Sequence, residues 1–412
     1  MKKLKNPWFF VPTTYFAEGL SYILVNSLAV IIYKKMNVSN DLIAFWTSLL
    51  YLPWAIKMFW SPFIDMYWTK RKWIVGTQSV MAVFTVLASV SLGLDSFLLY
   101  SMLAFTIIAF MSATHDVAVD GYYMISMDDK EQAFFVGIRS FAYRLAMLFS
   151  SGILVLWAGK LETSTGNIVL SWKVVLMTVA LILAFLSLYH RLFLPLPEKD
   201  KGAGHFDYGQ FFESIISYFR QDKVILAISF IVLYRFGEAM LLKLSAPFLL
   251  DPLKKGGMAL TTSEIGLAYG TIGLVCLIAG NILGAWFISK RGLKKCVWAM
   301  ALALNLPDPV YVYMSYNQDL PHTFVYVLVA FEQFGYGLGT TAFMYYLIQL
   351  TDEKHKTVHF AISTGIMAFA MMLPGMASGW LQMKTGYPEF FIIVCAATIP
   401  GMLLIPFLKY KN

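Results

Sequence analysis

Long apolar runs recur along the whole chain of 412 residues and constrain its fold more than any other feature. An α-helix rises 1.5 Å per residue, so about 20 apolar residues cross the ~30 Å hydrocarbon core of a bilayer. Backbone groups in that core need internal hydrogen-bond partners, which favours helices for such runs. We identify twelve runs, at 8–33, 42–64, 73–93, 97–125, 134–158, 171–194, 223–250, 263–288, 295–315, 322–350, 357–382 and 387–408. The sequence therefore predicts an all-α, polytopic membrane protein with twelve transmembrane helices.

Composition and charge support this prediction. The chain is 58% hydrophobic and only 14% charged, too apolar for a set of soluble domains. Its net charge of +8 is unevenly placed: basic residues concentrate in alternate connecting segments, including 2–5, 70–72, 290–295, 354–356 and 409–411. The intervening segments carry only Lys34, Lys35, Lys160, Lys254, Lys255 and Lys384. The positive-inside rule then predicts that both termini are cytoplasmic, and the basic surplus does not indicate a nucleic-acid partner.

Several classes of function have no support in the sequence. The three cysteines, Cys276, Cys296 and Cys395, lie in or beside apolar runs and predict neither a disulfide framework nor a metal site. The run that follows MKKLK is too long for a signal-peptide core, so we expect a retained first helix. No phosphate-binding loop or nucleophile elbow is present, so we expect no cofactor, no enzymatic activity and no ATP-driven transport by this chain alone.

Two pairs of similar segments predict an internal duplication. FAEGL at 16–20 is similar to FGEAM at 236–240, and MDDKEQAFFVGIRS at 127–140 aligns with TDEKHKTVHFAIST at 351–364, 224 positions later. A polar stretch lies between the sixth and seventh runs. We predict a six-helix bundle at 1–195, a cytoplasmic linker at 196–222 and a second six-helix bundle at 223–412, related as parallel repeats.

At this level the chain resembles the major facilitator superfamily, whose twelve helices form two bundles around a central cavity. The superfamily's loop between the second and third helices carries a Gly, an Asp and a basic cluster. Here SPFIDMYWTKRK at 61–72 supplies Asp65, Lys70, Arg71 and Lys72, with Ser61 in place of the Gly. The resemblance implies a gating role for Asp65, Lys70 and Arg71. A solvated, positive-inside loop is the other interpretation.

Four segments resemble the AmpG-type permeases, which are grouped with acetyl-CoA transporters: LPWAIKMFWSPFIDMY at 52–67, SATHDVAVDGYY at 112–123, YRLAMLFSSG at 143–152 and VLYRFGEAM at 232–240. The family's motif residues match Trp60, Ser61, Pro62, Asp65, Asp116, Asp120, Tyr143, Arg144, Arg235 and Glu238, with His115 replacing a Gln. Tyr122, Tyr123 and Ile125 depart from the Trp, Lys and Asp of many bacterial permeases. The resemblance implies import of anhydromuropeptides or related amino sugars across the inner membrane.

Charged residues inside the apolar runs are the candidate functional groups. They are Glu18, Asp116, Asp120, Glu238, Asp308 and Glu332, with Lys57, Arg139, Arg144, Lys173, Arg235 and Lys243. Each costs roughly 2.5 to 3.5 kcal/mol at a helix centre, so such groups should be paired or face a wet cavity. Helices four and five form a hairpin centred near Lys130, which places residues equidistant from it at similar depth. We therefore expect Asp120 to pair with Arg139, or Asp116 with Arg144.

Glu18 has no basic residue on its own helix, which leaves two interpretations open. It is a proton carrier, or it is held by Ser, Tyr or Lys from another helix, such as Lys243 or Lys57. His115 is likewise a proton relay or a hydrogen-bonded packing residue. Glu238 has Arg235 one turn away, so this segment either neutralises itself or offers cations to an anionic substrate. The glycines that follow Glu332 favour close helix packing there, and Asp308 between two prolines predicts a helix break.

Together these arguments predict a proton-coupled secondary transporter, acting as a monomer in the inner membrane and moving a small-molecule substrate. The predicted proton-coupling residues are Glu18, Asp116, Asp120 and His115. The predicted substrate-binding residues are Glu238, Arg235, Lys243, Arg144, Tyr22, Asn26, Glu332 and Gln333. The alternatives are a transporter of another anionic solute, such as a CoA ester or a siderophore-like compound, or a membrane receptor or enzyme without transport.

Overall fold

A computed structural model describes residues 6–196, 208–352 and 356–410, and these residues are helical with no β-strand. In the first half the long helices are α1 Pro7–Lys35, α2 Asn40–Phe59, α3 Lys70–Ser91, α4 Phe97–Ser126, α5 Lys130–Thr165 and α6 Ile168–Phe193. In the second half they are α7 Val224–Leu250, α8 Thr262–Arg291, α9 Leu293–Asn305 continued as Pro309–Tyr316, α10 His322–Gln349, α11 Lys356–Thr385 and α12 Tyr387–Leu404. Shorter helices are Ser61–Met66 and Tyr208–Phe219. The predicted all-α class is confirmed.

Ten of these helices in the described parts of the chain are long and apolar enough to cross a membrane. The other two, α9 and α10, are helical where the sequence predicts them. Helix α9 stops at Asn305 and restarts at Pro309, so neither piece is long enough by itself. This confirms the helix break predicted at Asp308. Helix α10 contains Glu332, Gln333 and several tyrosines and glycines, which lower its mean hydropathy.

Short polar signals begin and end the helices. Thr69 caps α3 by accepting a hydrogen bond from the backbone N–H of Lys72, and Asn167 caps α6 in the same way. A capping box formed by Thr261 and Glu264 begins α8. Helix α5 ends at Gly166, whose φ of 64° lies in the left-handed region that glycine adopts without strain. These caps end the long apolar helices at defined residues, so that short loops can connect them.

The chain divides into two compact units. The first comprises Met1–Met36 and Ile56–Phe206, and the second comprises Asn37–Ala55 and Asp207–Asn412. In the first unit α3 packs along α4 and α6, and α1 packs along α5. In the second, α10 packs against α8 and α9, and α7 packs against α11 and α12. The first part of α2 packs along α11 in the second unit. The division at 195 and 223 stays a prediction, because the compact units place residues 37–55 with the second.

Large apolar side chains cover the outward faces of several helices. Phe185 on α6 is 65% exposed and Ile282 on α8 is 67% exposed. A soluble protein rarely exposes contiguous apolar surface of this kind, whereas hydrocarbon tails solvate it. The exposed faces therefore belong to a protein whose solvent is the bilayer.

Candidate functional site

Glu18 borders a cavity of about 280 Å³ inside the first unit. Its neighbour Gly19 allows α1 to approach α5 closely, because a Cβ at Gly19 would lie only 2.8 Å from the backbone oxygen of Tyr143. The cavity is lined by helices α1, α4 and α5. Its polar lining residues are Tyr15, Glu18, Asp120, Arg139, Ser140, Tyr143 and Arg144.

Asp120 and Arg139 form an ion pair at the edge of this cavity. The Arg139 Nη1 lies 3.2 Å from Asp120 Oδ1, which confirms one of the two pairings predicted from the α4–α5 hairpin. Tyr15 donates its hydroxyl hydrogen to Asp120 at 2.7 Å, and Arg139 donates to the Tyr15 oxygen at 3.0 Å. The guanidinium also lies over the ring of Tyr123, 4.9 Å from its centroid. The Asp120 side chain is still 49% exposed, so the pair faces open space.

Asp116 forms an ion pair with Lys57, which lies near the end of α2. No described ion pair joins Asp116 to Arg144, the predicted alternative, and Arg144 lines the cavity. The carboxyl group of Glu18 neighbours both Asp116 and Asp120, with Lys57 close by. Among the described residues its Oε2 atom has no hydrogen-bond partner. Glu18 thus has less hydrogen bonding and less charge compensation than Asp116 and Asp120.

His115 belongs to a buried hydrogen-bonded chain that the sequence did not predict. Gln78 bridges two histidines: its Nε2 lies 2.9 Å from His115 Nε2, and its Oε1 lies 2.9 Å from His190 Nδ1. His190 Nε2 in turn lies 2.9 Å from the Thr13 hydroxyl. Gln78 and both histidines are fully buried. These contacts favour the interpretation of His115 as a hydrogen-bonded packing residue, and only the polarity of Gln78 and His190 within apolar runs could have indicated them.

The remaining predicted residues of the first unit lie around this centre. Tyr22 packs its ring against that of Tyr143, which lines the cavity. Asn26, in a π-helical turn of α1, donates to the backbone oxygen of Tyr22 at 3.1 Å. Of the predicted gating residues, the side chain of Asp65 lies outside the described residues. Lys70 is buried against Gly121, and Arg71 donates to the backbone oxygen of Arg191.

In the second unit Arg235 and Glu238 are both buried but make no direct ion pair among the described contacts. Helix α7 breaks at Arg235, whose guanidinium donates to the Tyr336 hydroxyl at 3.0 Å and lies over the Tyr336 ring. Both carboxyl oxygens of Glu238 lack hydrogen-bond partners among the described residues. The Arg235 guanidinium group is thus surrounded by neutral and aromatic groups. The carboxyl group of Glu238, one turn away, has no hydrogen-bond partner among the described residues.

Lys243, Glu332 and Gln333 are also buried in the second unit. Lys243 donates to the Thr47 hydroxyl at 3.2 Å. Gln333 donates to Glu332 Oε2 at 2.9 Å and to the Tyr269 hydroxyl at 3.0 Å. Glycines 335, 337 and 339 bring α10 against α8 and α9, as the sequence predicts. Glu332 is thus held within a packed polar layer.

Comparison with known proteins places this arrangement in a family. The sequence model of the Major Facilitator Superfamily matches residues 13–307. The chain belongs to the Major Facilitator Superfamily. It is therefore a multi-pass membrane transporter rather than an enzyme, as the sequence predicts.

Relatives and solved structures agree with this assignment. The chain is 24% identical to the anhydromuropeptide permease of Escherichia coli K12, over 95% of this chain and 77% of the permease. It is also 24% identical to the putative transporter AmpG 2 of Rickettsia prowazekii, over 95% and 93% of the two chains. A solved D-xylose–proton symporter has the same fold, with a TM-score of 0.74, 12% identity and 98% coverage of each chain. The predicted AmpG-type resemblance is confirmed.

Chemically, the first unit offers protonatable groups beside a cavity with a polar lining, and the second offers buried cations. Among the residues described, no group of three or more His, Cys, Asp or Glu side chains is arranged to hold a metal ion. The polar groups suit proton transfer and the binding of an anionic organic molecule.

Proposed function

We propose that this protein is a proton-coupled importer of anhydromuropeptides or related amino sugars, acting as a monomer in the inner membrane by alternating access. The observation that carries the coupling is the cluster of three carboxyl groups in the first unit, Glu18, Asp116 and Asp120. Asp116 pairs with Lys57 and Asp120 pairs with Arg139, whereas no described ion pair includes Glu18, although Arg144 lines the same cavity. Ionisation of Glu18 therefore adds a negative charge beside two carboxylates, and a proton on Glu18 removes it.

Glu18 is the member of the cluster best suited to carry that proton. Asp116 and Asp120 each have a cation within ion-pair distance, whereas Glu18 has an unsatisfied oxygen and borders the cavity. Exposure of the cavity to one side of the membrane would then allow Glu18 to load or release a proton. The coupling part of the proposal is supported by the likeness in fold to a protein described as a D-xylose–proton symporter.

The substrate assignment is supported by the buried cations and by the named relatives. Arg235 and Lys243 have no carboxylate partner among the described ion pairs, so both can receive an anionic group of a substrate. Within the first unit, Arg144 lines the cavity and offers a cation there. A muropeptide carries carboxylates and sugar hydroxyls that such groups bind. Tyr22 and Tyr143 supply aromatic faces beside the cavity.

Uptake of radiolabelled anhydro-N-acetylmuramic acid into proteoliposomes tests both parts of the proposal. We expect accumulation with an imposed pH gradient, acid outside, and only equilibration without it. Absence of uptake for every muropeptide fragment tested would reject the substrate class, and gradient-independent accumulation would reject the coupling. Competition by an unlabelled CoA ester that abolishes uptake would favour a different anionic solute.

A further inference from the structure

Residues 37–55 follow the first helix in the chain, yet they pack within the second unit. They lie along α11 at glycines that leave no room for a side chain. A Cβ at Gly375 would lie 2.6 Å from the Ser48 Oγ, and one at Gly365 would lie 2.8 Å from the backbone oxygen of Ala55. At Gly379 a Cβ would collide with the backbone oxygen of Asn40. We call residues 40–55 the docked segment.

Lys243 is the charged residue that holds the middle of the docked segment. Its Nζ donates to the Thr47 hydroxyl at 3.2 Å and lies 4.8 Å from the centroid of the Tyr51 ring. The side chain is only 4% exposed, and no described ion pair gives it a carboxylate. Among the described residues its charge is therefore compensated by a hydroxyl group and an aromatic face. These compensate a buried ammonium group less well than an anion does.

The start of the docked segment is held by a separate cluster of hydrogen bonds. Asn40 donates to Gln382 at 2.8 Å and to the Tyr387 hydroxyl at 2.9 Å, and Tyr387 donates to Asp251 at 2.7 Å. This cluster does not involve Lys243. The contacts made by Lys243 can therefore change while the start of the segment stays anchored.

We propose that Lys243 is a substrate-released latch: its contacts with Thr47 and Tyr51 hold the docked segment, and an anionic group of the substrate releases the segment by taking the ammonium group. The latch rests on the proposed function for the identity of its ligand. A carboxylate adds the attraction of opposite charges to the hydrogen bond with the ammonium group, which the neutral hydroxyl group of Thr47 cannot supply. When the ammonium group moves to the substrate, the Thr47 hydroxyl group and the Tyr51 ring lose a contact. Neither of them is charged, so no unpaired buried charge results. Substrate binding and helix movement are thereby coupled at one side chain.

A cysteine reporter at position 48 tests the latch without measuring transport. The Ser48 side chain is fully buried and has no hydrogen-bond partner among the described residues, so Ser48→Cys removes no described hydrogen bond. The reporter is placed in a chain whose three native cysteines are replaced by alanine, purified in detergent. The rate of reaction with a polar maleimide then measures how often the docked segment leaves α11.

Two variants at position 47 separate the hydroxyl group from packing. Thr47→Val keeps the shape but removes the hydroxyl group, which accepts from Lys243 and also donates to the backbone oxygen of Ile43. The bond to Ile43 lies within the docked segment, so we expect loss of the Lys243 bond to raise the labelling rate, by about fivefold, the factor equivalent to one ordinary hydrogen bond. Thr47→Ser keeps the hydroxyl group and loses one methyl group, and it should label more slowly than the Val variant. Equal rates for the Val and Ser variants overturn the latch, whatever the substrate proves to be, because this comparison uses no ligand.

Ligand addition tests the release. Saturating anhydro-N-acetylmuramic acid should accelerate labelling several-fold, whereas its carboxyl methyl ester should not. In the Lys243→Met chain the acid should have no effect. Lys173→Met, which changes a lysine of the first unit, should leave the acceleration intact. Acceleration by the acid that persists in Lys243→Met, or no acceleration in a protein that accumulates the same compound in proteoliposomes, overturns the release step.

Discussion

At the scale of single residues, the two glutamates of the duplicated sequence have different surroundings. Glu18 borders a cavity and neighbours two other carboxyl groups. Glu238 is fully buried, without a hydrogen-bond partner among the described residues, and has Arg235 as its nearby cation. A residue that exchanges protons with water needs access to it. The cavity therefore favours Glu18 for coupling.

Glu18→Gln should abolish accumulation driven by a pH gradient and leave substrate exchange intact, because glutamine keeps the shape and cannot carry a proton. Counterflow and gradient-driven uptake, measured in the same proteoliposome preparation, distinguish the two. Glu18→Asp, which keeps the acid, serves as the matched control. Full gradient-driven accumulation by Glu18→Gln would remove Glu18 from the coupling mechanism.

Lys57 should matter more for stability than Arg139, because the first pair is better shielded. The side chains of Lys57 and Asp116 are 28% and 13% exposed, against 34% and 49% for Arg139 and Asp120. Lys57→Met leaves Asp116 unpaired and should lower the free energy of unfolding by about 3 kcal/mol. Arg139→Gln should lower it by about 1 kcal/mol or less.

Thermal unfolding in detergent, followed by circular dichroism, measures this difference. Adding Asp116→Asn to Lys57→Met should recover part of the lost stability, since it removes the unpaired charge. If the double variant unfolds at a lower temperature than Lys57→Met alone, the stabilising element is not the ion pair.

At the scale of helices, local irregularities fall beside the polar groups. Helices α1, α5 and α8 contain π-helical turns at Leu24–Leu28, Leu148–Leu154 and Ala268–Gly273. Such turns are rare and frequently occur at functional sites. Glycine positions also differ between the repeats: Gly19 packs α1 on α5, whereas Gly237 packs α7 on α12. The similar sequences FAEGL and FGEAM therefore place their glutamates differently.

Gly19→Ala should destabilise the first unit, because the added methyl group meets the backbone of Tyr143 at 2.8 Å and Ala146 Cβ at 2.9 Å. Overpacking of this kind costs about 1 to 3 kcal/mol. Gly76→Ala in α3 is the control, since no other group lies within 4 Å of the place that its added methyl group would occupy. That change should be neutral or stabilise by up to about 1 kcal/mol. Melting temperatures that fall equally for both variants would contradict the close packing of α1 on α5.

At the scale of the whole molecule, the alternation of basic segments predicts how the chain crosses the membrane. A green fluorescent protein fused after Asn412 should fluoresce, because both termini are predicted to be cytoplasmic. Alkaline phosphatase fused after Gly166, in the turn between α5 and α6, should be active because that turn is predicted to face the periplasm. The opposite pattern of activities would invert the predicted topology.

The sequence alone determined the helical class and the helix positions, and it predicted the ion pair of Asp120 with Arg139 as one of two alternatives. These follow from local or nearly local rules: apolar length sets a membrane span, a proline pair breaks a helix, and a hairpin sets relative depth. Only the tertiary structure decided that Asp116 takes Lys57, that Gln78 bridges His115 to His190, and that residues 37–55 pack on α11. Those contacts join residues far apart in the chain, and their partners depend on how the helices rotate and pack, which spacing along one helix does not specify.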